Sequence, residues 1–154
     1  MKKSVVLVIL AVYIVSVCIV GFFGIKIKQY YETVNVESIK ITSVTDEQGN
    51  LLEIGKTADE NPVSSVTIEA KKNTTVTFKV YYEVNPANAT DPSVLLNYNN
   101  TDPSITVTKS PGEQAVIVTF EVKSTTKSLS LTIQNNINTS ISDTIVLFVK
   151  VKLF

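Results

Sequence analysis

The chain has 154 residues, 14 lysines, no arginine and 14 acidic side chains, so its formal charge is zero. This length holds one ordinary domain and an appendage, because domains cluster near about 100 to 150 residues, and no second globular unit is expected. The lack of guanidinium groups and of a net basic charge argues against nucleic-acid or phosphate recognition, which favours planar bidentate donors on a basic face.

From Val5 to Ile25 the chain carries no charge, and its polar side chains are Ser16 and the amphipathic Tyr13. About 21 residues at roughly 1.5 Å each reach about 31 Å as a helix, enough to cross the hydrocarbon core. Met1-Lys2-Lys3 in front also fits a secretory leader, but no Ala-x-Ala cleavage site follows. Ser16-Val17-Cys18 is a tolerable site, whereas Phe22-Phe23-Gly24 puts Phe where a small residue belongs. In Val15-Ser16-Val17-Cys18 a valine precedes the cysteine, where a lipidated cysteine needs a small residue. Residues 1–28 are therefore expected to be an uncleaved transmembrane signal anchor and 29–35 a linker. Cleavage after Cys18 and lipidation on it stay open as alternatives. Lysines flank the segment on both sides (Lys2 and Lys3, Lys26 and Lys28), so charge sets orientation weakly. The short basic N-tail places the N-terminus inside and the following domain outside. Phe22, Phe23, Tyr30 and Tyr31 would supply an interfacial aromatic belt. Cys18 is the sole cysteine, so no disulfide forms within the chain and the rest must hold together by packing.

Beyond Tyr30 the pattern has period two. Val76, Phe78, Val80, Tyr82 and Val84 alternate with Thr77, Lys79, Tyr81 and Glu83. Side chains alternate across a strand, so one face meets a core and the other meets solvent. The same signal predicts strands at Val36 to Val44, Val66 to Ala70, Ile105 to Val107, Val116 to Val122, Leu129 to Ile133 and Ile145 to Leu153. Val94 to Tyr98 is a shorter, more ambiguous run. Turn chemistry separates them at Asp46 to Asn50, Asn61-Pro62, Lys71 to Asn73, Asn85 to Pro92, Asn99 to Pro103, Ser110 to Gly112 and Asn135 to Ser142. Seven to eight short strands over about 115 residues predict an all-β, Ig-like β-sandwich at 36–154. With no Trp and no Cys pair in that span, its core is expected to be aliphatic.

The run Asn73 to Thr90, an alternating strand ending in Asn85-Pro86-Ala87-Asn88-Ala89-Thr90, resembles the bacterial Ig-like group 2 domain. Asn99 to Val107 and Gly112-Glu113-Gln114-Ala115-Val116-Ile117-Val118 are similar to its following turn and strands, and Val36 to Ile41 to its first strand. The resemblance covers roughly Val36 to Val122. Leu95 or Leu96 stands where that family often has Trp, Asn73 where it has Gly, and residues from about Asp46 to Ala70 look like an extra hairpin or insertion. The resemblance implies a surface module used as spacer or binder, without catalytic residues or cofactor.

The chemistry-bearing residues point the same way. No His is present, removing the commonest general base and metal ligand. No Gly-x-Ser-x-Gly, Ser-x-x-Lys or phosphate-cradling glycine loop occurs. Asp46, Glu47, Asn50, Asp59, Glu60, Asp91 and Asp102 could offer oxygen to calcium, but they lack the spacing of a calcium loop and are what turns require. No catalytic, cofactor-binding or metal-binding residue is assigned. Sequons at Asn73, Asn88, Asn99 and Asn138 match what chance yields in such an Asn-, Ser- and Thr-rich chain. Lysine-only basicity with abundant Ile and Asn fits an AT-rich bacterial genome. No Leu-Pro-x-Thr-Gly sorting motif and no pilin-type processing signature are present. The expectation is a bacterial, non-enzymatic cell-surface module for adhesion, envelope structure or scaffolding, single-pass in the cell membrane with its C-terminal domain extracellular. Its partners would be the lipid bilayer and a protein or envelope component, not nucleic acid. The alternative is an accessory subunit of a membrane transporter or secretion complex.

Overall fold

The computed structural model describes residues 3–30, 33–123 and 125–152, with the side chains of 23–30 left aside. Phe23, Tyr30 and Tyr31 of the expected aromatic belt, and Leu153 at the end of the expected last strand, thus lie outside the described side chains. The chain divides into two compact units, residues 1–33 and 34–154.

The first unit is one helix, α1 (Lys3–Tyr30). Its stretch Lys3–Phe22 is long and apolar enough to cross a membrane. Ser16 Oγ donates to the Val12 carbonyl at 2.9 Å, returning its hydroxyl to the helix backbone rather than leaving it bare among apolar side chains. The lone thiol, Cys18, is exposed on this helix.

The second unit is built of β1 (Ser38–Thr45), β2 (Gly55–Lys56), β3 (Ser64–Lys71), β4 (Thr74–Asn85), β5 (Val94–Tyr98), β6 (Ile105–Lys109), β7 (Ala115–Val122), β8 (Lys127–Asn135) and β9 (Ser142–Lys152). They form two sheets, in the orders β1-β4-β7-β6 and β2-β3-β9-β8-β5. All eight sequence-predicted strands are present, most of them longer than the apolar alternation alone marks. The hydrogen-bonded ladder continues into flanking Ser, Thr, Asn and Lys that carry no apolar signal. The ninth strand, β2, is two residues long and exposed, below the reach of any periodicity.

The alternation read in β4 is realised from Phe78 to Val84, with Val76, Thr77, Lys79 and Tyr81 all half-buried. Phe78 and Val80 are fully buried, and Tyr82 and Val84 nearly so, while Thr75 and Glu83 on the other face are exposed. Phe78 pairs with Val118 and Val76 with Phe120 across β4 and β7, which sets Phe78 and Phe120 on a diagonal. Their rings meet edge-on, centroids 5.6 Å apart at 75°, the arrangement that ring quadrupoles favour. The core is therefore not purely aliphatic, contrary to expectation: the Phe78–Phe120 pair is fully buried within it. From the other sheet Leu131, Ile133, Ile145 and Leu147 are fully buried in the same cluster. Each contributes about 1.5–3 kcal/mol by leaving water.

Residues 46–70 divide in two. The span before β3 holds a turn at Asp46–Asn50, an isolated bridge between Thr45 and Leu51, and β2. Gly49 sits at φ 83°, where a side chain would be strained. β3 itself is built into the sheet: it runs parallel to β9 through eight pairs, from Ser64↔Ile145 to Lys71↔Lys152, with Val66 buried. Lys72 and Asn73 alone then carry the chain to β4 in the other sheet, with Asn73 at φ 61° and its N–H bonded to the Val122 carbonyl at 2.7 Å. Asn tolerates this left-handed region better than most side chains.

The register also fixes which strand ends share an end of the unit. Val34, where the chain enters, exchanges hydrogen bonds with Thr90, and Ser38 pairs with Asn85. Lys152 pairs with Lys71, next to the start of β4, so it lies at the opposite end. A cis peptide bond joins Asn85 to Pro86 at the entering end.

Candidate functional site

Polar side chains cluster at four places in the β unit. The tightest is on the β5–β6 connection. Asn100 Oδ1 accepts from the Asp102 amide at 2.8 Å, and its Nδ2 donates to the carbonyls of Asp102 and Ile105. This folds the loop so that Asp102 faces Ser104 and Lys127. Asp102 Oδ1 accepts from Ser104 Oγ at 2.6 Å and from its amide at 3.0 Å, while Oδ2 takes Lys127 Nζ at 2.6 Å. Lys127 also donates to Ser104 Oγ. The Lys127 ammonium, then the Ser104 hydroxyl, hold the Asp102 carboxyl well below the usual carboxylate range.

A serine beside a lysine has the composition of a nucleophile–base pair. Here the Ser104 hydroxyl donates a hydrogen bond to the Asp102 carboxylate and accepts one from Lys127, so the lysine is a donor to the serine rather than its base. Lys127 is nearly buried, at 11 % exposure, against 42 % for Asp102. The cluster thus ties the approach to β6 in one sheet to the start of β8 in the other.

Two further links join the sheets, and a third lies on the outer face of one. Asp143 Oδ2 accepts from the Ile41 amide at 2.8 Å, across the two sheets. Lys109 Nζ on β6 donates to the Val94 carbonyl on β5, joining two edge strands. On an outer face, Lys79 Nζ lies 2.6 Å from Glu113 Oε2 and 5.2 Å from the Tyr81 ring centroid. Glu113 raises the Lys79 pKa, and Lys79 lowers that of Glu113.

The residues weighed for calcium are not brought together. Asp46 closes its own turn, accepting from the amides of Gln48 and Asn50 and from Asn50 Nδ2. Those bonds, led by the Asn50 side chain, lower its pKa. Asp91 accepts from the Ser93 amide at 3.0 Å and is lowered by Ser93. Asp59 and Glu60 stand exposed in the β2–β3 loop. Among the described residues no group of three or more His, Cys, Asp or Glu gathers to hold a metal ion. Asn73, Asn88, Asn99 and Asn138 are all exposed in connections.

Two of the grooves among the described residues open on the β unit. One, of about 510 Å³, lies at the end where the chain enters, between the Lys40–Glu83 pair, Asn85 and Gln114. The other, of about 330 Å³, lies in the seam between the two sheets, over Leu52, Ile68 and Val76 and beside Asp46, Glu47 and Glu69. No sequence spacing announces Asp102–Lys127, Ile41–Asp143 or the second groove, because each joins segments that are distant along the chain. No family model, curated protein or solved structure matches this chain.

Proposed function

We propose that the chain is a membrane-anchored, non-catalytic Ig-like module, displayed on the outer side of a bacterial cell membrane for adhesion, envelope structure or scaffolding. The observation that carries this reading is the joining of a helix apolar enough to span a bilayer, Lys3–Phe22, to a β unit in which Asp102, Lys109, Lys127 and Asp143 tie the two sheets together. The strand order supports the Ig-like label. One sheet reads first-second-fifth-fourth among the eight long strands when β3 is counted with β1 as a split first strand, and the other places β9, β8 and β5 side by side, as in Ig sandwiches. The parallel β3–β9 pair is what such a split first strand makes with the last strand.

The test replaces the single native cysteine with one placed in the β unit. In a Cys18→Ser background, Thr125→Cys puts a thiol in the exposed β7–β8 connection. A membrane-impermeant maleimide is expected to label it in intact cells, and the intact mass of the purified chain to retain Met1 or Lys2. Labelling only after lysis would refute outward display, and a mass lacking the helix would refute the anchor.

A further inference from the structure

We propose that the free edge of β3 at Thr67–Glu69 is a docking site for an extended, lysine- or arginine-bearing segment of a partner protein, which adds to the sheet as a strand. Peptide addition to a sheet edge draws affinity from main-chain hydrogen bonds and specificity from side-chain contacts alongside. Both ingredients are present at this edge.

β3 has eight residues and pairs with β9 along its whole length, but on its other side β2 covers only Ser64 and Ser65. The Thr57 amide donates to the Val63 carbonyl at 2.9 Å, and Gly55 faces Ser65, so odd-numbered residues turn their main-chain groups toward the β2 side. By the period of a strand, the N–H and C=O of Thr67 and Glu69 point to that same side, where no described strand meets them. Other edges in the unit are blunted in familiar ways: β1 carries a bulge between Ile41 and Ser43, and β5 and β6 are five residues long, with Lys109 turned inward to the Val94 carbonyl. These are devices that prevent unwanted strand pairing. Along Thr67–Glu69 β3 has none beyond its side-chain charge.

The groove beside this edge decides the sign of the partner. Its lining includes Leu52, Ile68 and Val76, each half-buried against the core, together with Gln48, Thr75 and Thr77. Its rim carries Asp46, Glu47 and Glu69. Lys152 approaches Glu69 at 3.5 Å, with both side chains about 60 % exposed, a pair that water screens strongly. Among the described residues Asp46 has no ammonium partner: its bonds are to amides of its own turn. An aliphatic side chain over Leu52, Ile68 and Val76 and a cation on the rim complement this surface, and alternation along an added strand supplies both.

The probe is a short, capped peptide alternating lysine and valine, with a glutamate–valine peptide as its counterpart, added to the full chain in nanodiscs. The lysine peptide is expected to bind with a dissociation constant below about 1 mM, and hydrogen exchange at the Thr67 and Glu69 amides to slow on binding. The double substitution Glu47→Lys and Glu69→Lys, at two exposed positions, is expected to weaken binding by about tenfold or more. Thr67→Pro removes an outward N–H and is expected to abolish binding while leaving thermal unfolding unchanged, since proline is accepted on an open edge. If that variant unfolds, the Thr67 amide was serving the fold, and the proposal fails. It fails equally if the lysine peptide does not bind, if the glutamate peptide binds as well, if binding leaves both amides unprotected, or if the edge is already occupied by a second copy of the chain.

Discussion

The main-chain amide of Ile41 in one sheet donates to the carboxylate of Asp143 in the other, at 2.8 Å. β1 is an edge strand and Ile41 stands opposite Tyr82, whose own amide turns to the Gln114 carbonyl on the far side, so by strand alternation the Ile41 amide points off the edge of its sheet. Removing the acceptor strands that amide in a half-buried place. Asp143→Ala is expected to lower unfolding free energy by about 1–3 kcal/mol, and Asp143→Asn, which keeps an oxygen at the site, by less than about 1 kcal/mol. Urea unfolding of the full chain in detergent, followed by far-ultraviolet circular dichroism, separates the two.

Acid should loosen the β unit through Asp102. Its folded-state pKa lies below its unfolded value of about 3.9. The stabilisation is therefore complete above that value and is lost as pH falls below it toward the folded pKa. Asp46, Asp91 and Glu113 are shifted the same way and add to the trend. Melting temperature against pH is expected to fall more steeply below about pH 4 for the native chain than for Asp102→Asn. Parallel curves would show that the Lys127 clasp stores no pH-dependent stability.

Ser104 is 6 % exposed and its hydroxyl is engaged on both sides, by Asp102 and Lys127. Ser104→Ala is expected to destabilise by about 1–3 kcal/mol, because a near-buried ammonium loses an acceptor. Chemical denaturation reads the shift in midpoint.

Phe120→Ala should be the most damaging of these changes. The ring is fully buried against Phe78, and truncation opens a cavity between two sheets that cannot close on each other, costing about 3–5 kcal/mol. Calorimetry of the native chain and the variant gives the comparison.

Backbone conformation sets a fifth expectation, at Asn73. Asn73→Val forces a β-branched side chain into the left-handed region and should cost about 1–2 kcal/mol. Asn73→Gly should be neutral or stabilising, since glycine takes this conformation freely. Thermal melts of both variants test the pair.

What could be read from the residues was local. The apolar run ahead of Phe22 and the alternation of Val76 to Val84 are statements about neighbours, and periodicity carries them directly. β2 escaped because two exposed residues have no period. Which strands pair is a different kind of information: β3 lies beside β9 although some eighty positions of chain separate them. Lys127 and Asp102 likewise meet only after a loop has been folded by Asn100, so no spacing rule pairs them. Lys109 is an exposed strand residue in the structure as in the sequence, and only the fold shows that its ammonium reaches a β5 carbonyl.

Because Val34 and Lys152 lie at opposite ends of the β unit, a pull applied between them runs along the strands rather than across them. β1 would have to slide against β4, and β9 against both β3 and β8, with every rung of each ladder sharing the load at once. Peeling from one end, the low-force route by which ladders open one bond at a time, is not available to strands loaded in this direction. The arrangement gives the unit a mechanical axis: force entering at the N-terminal side leaves through β9, and the parallel β3–β9 pair is the seam that must shear.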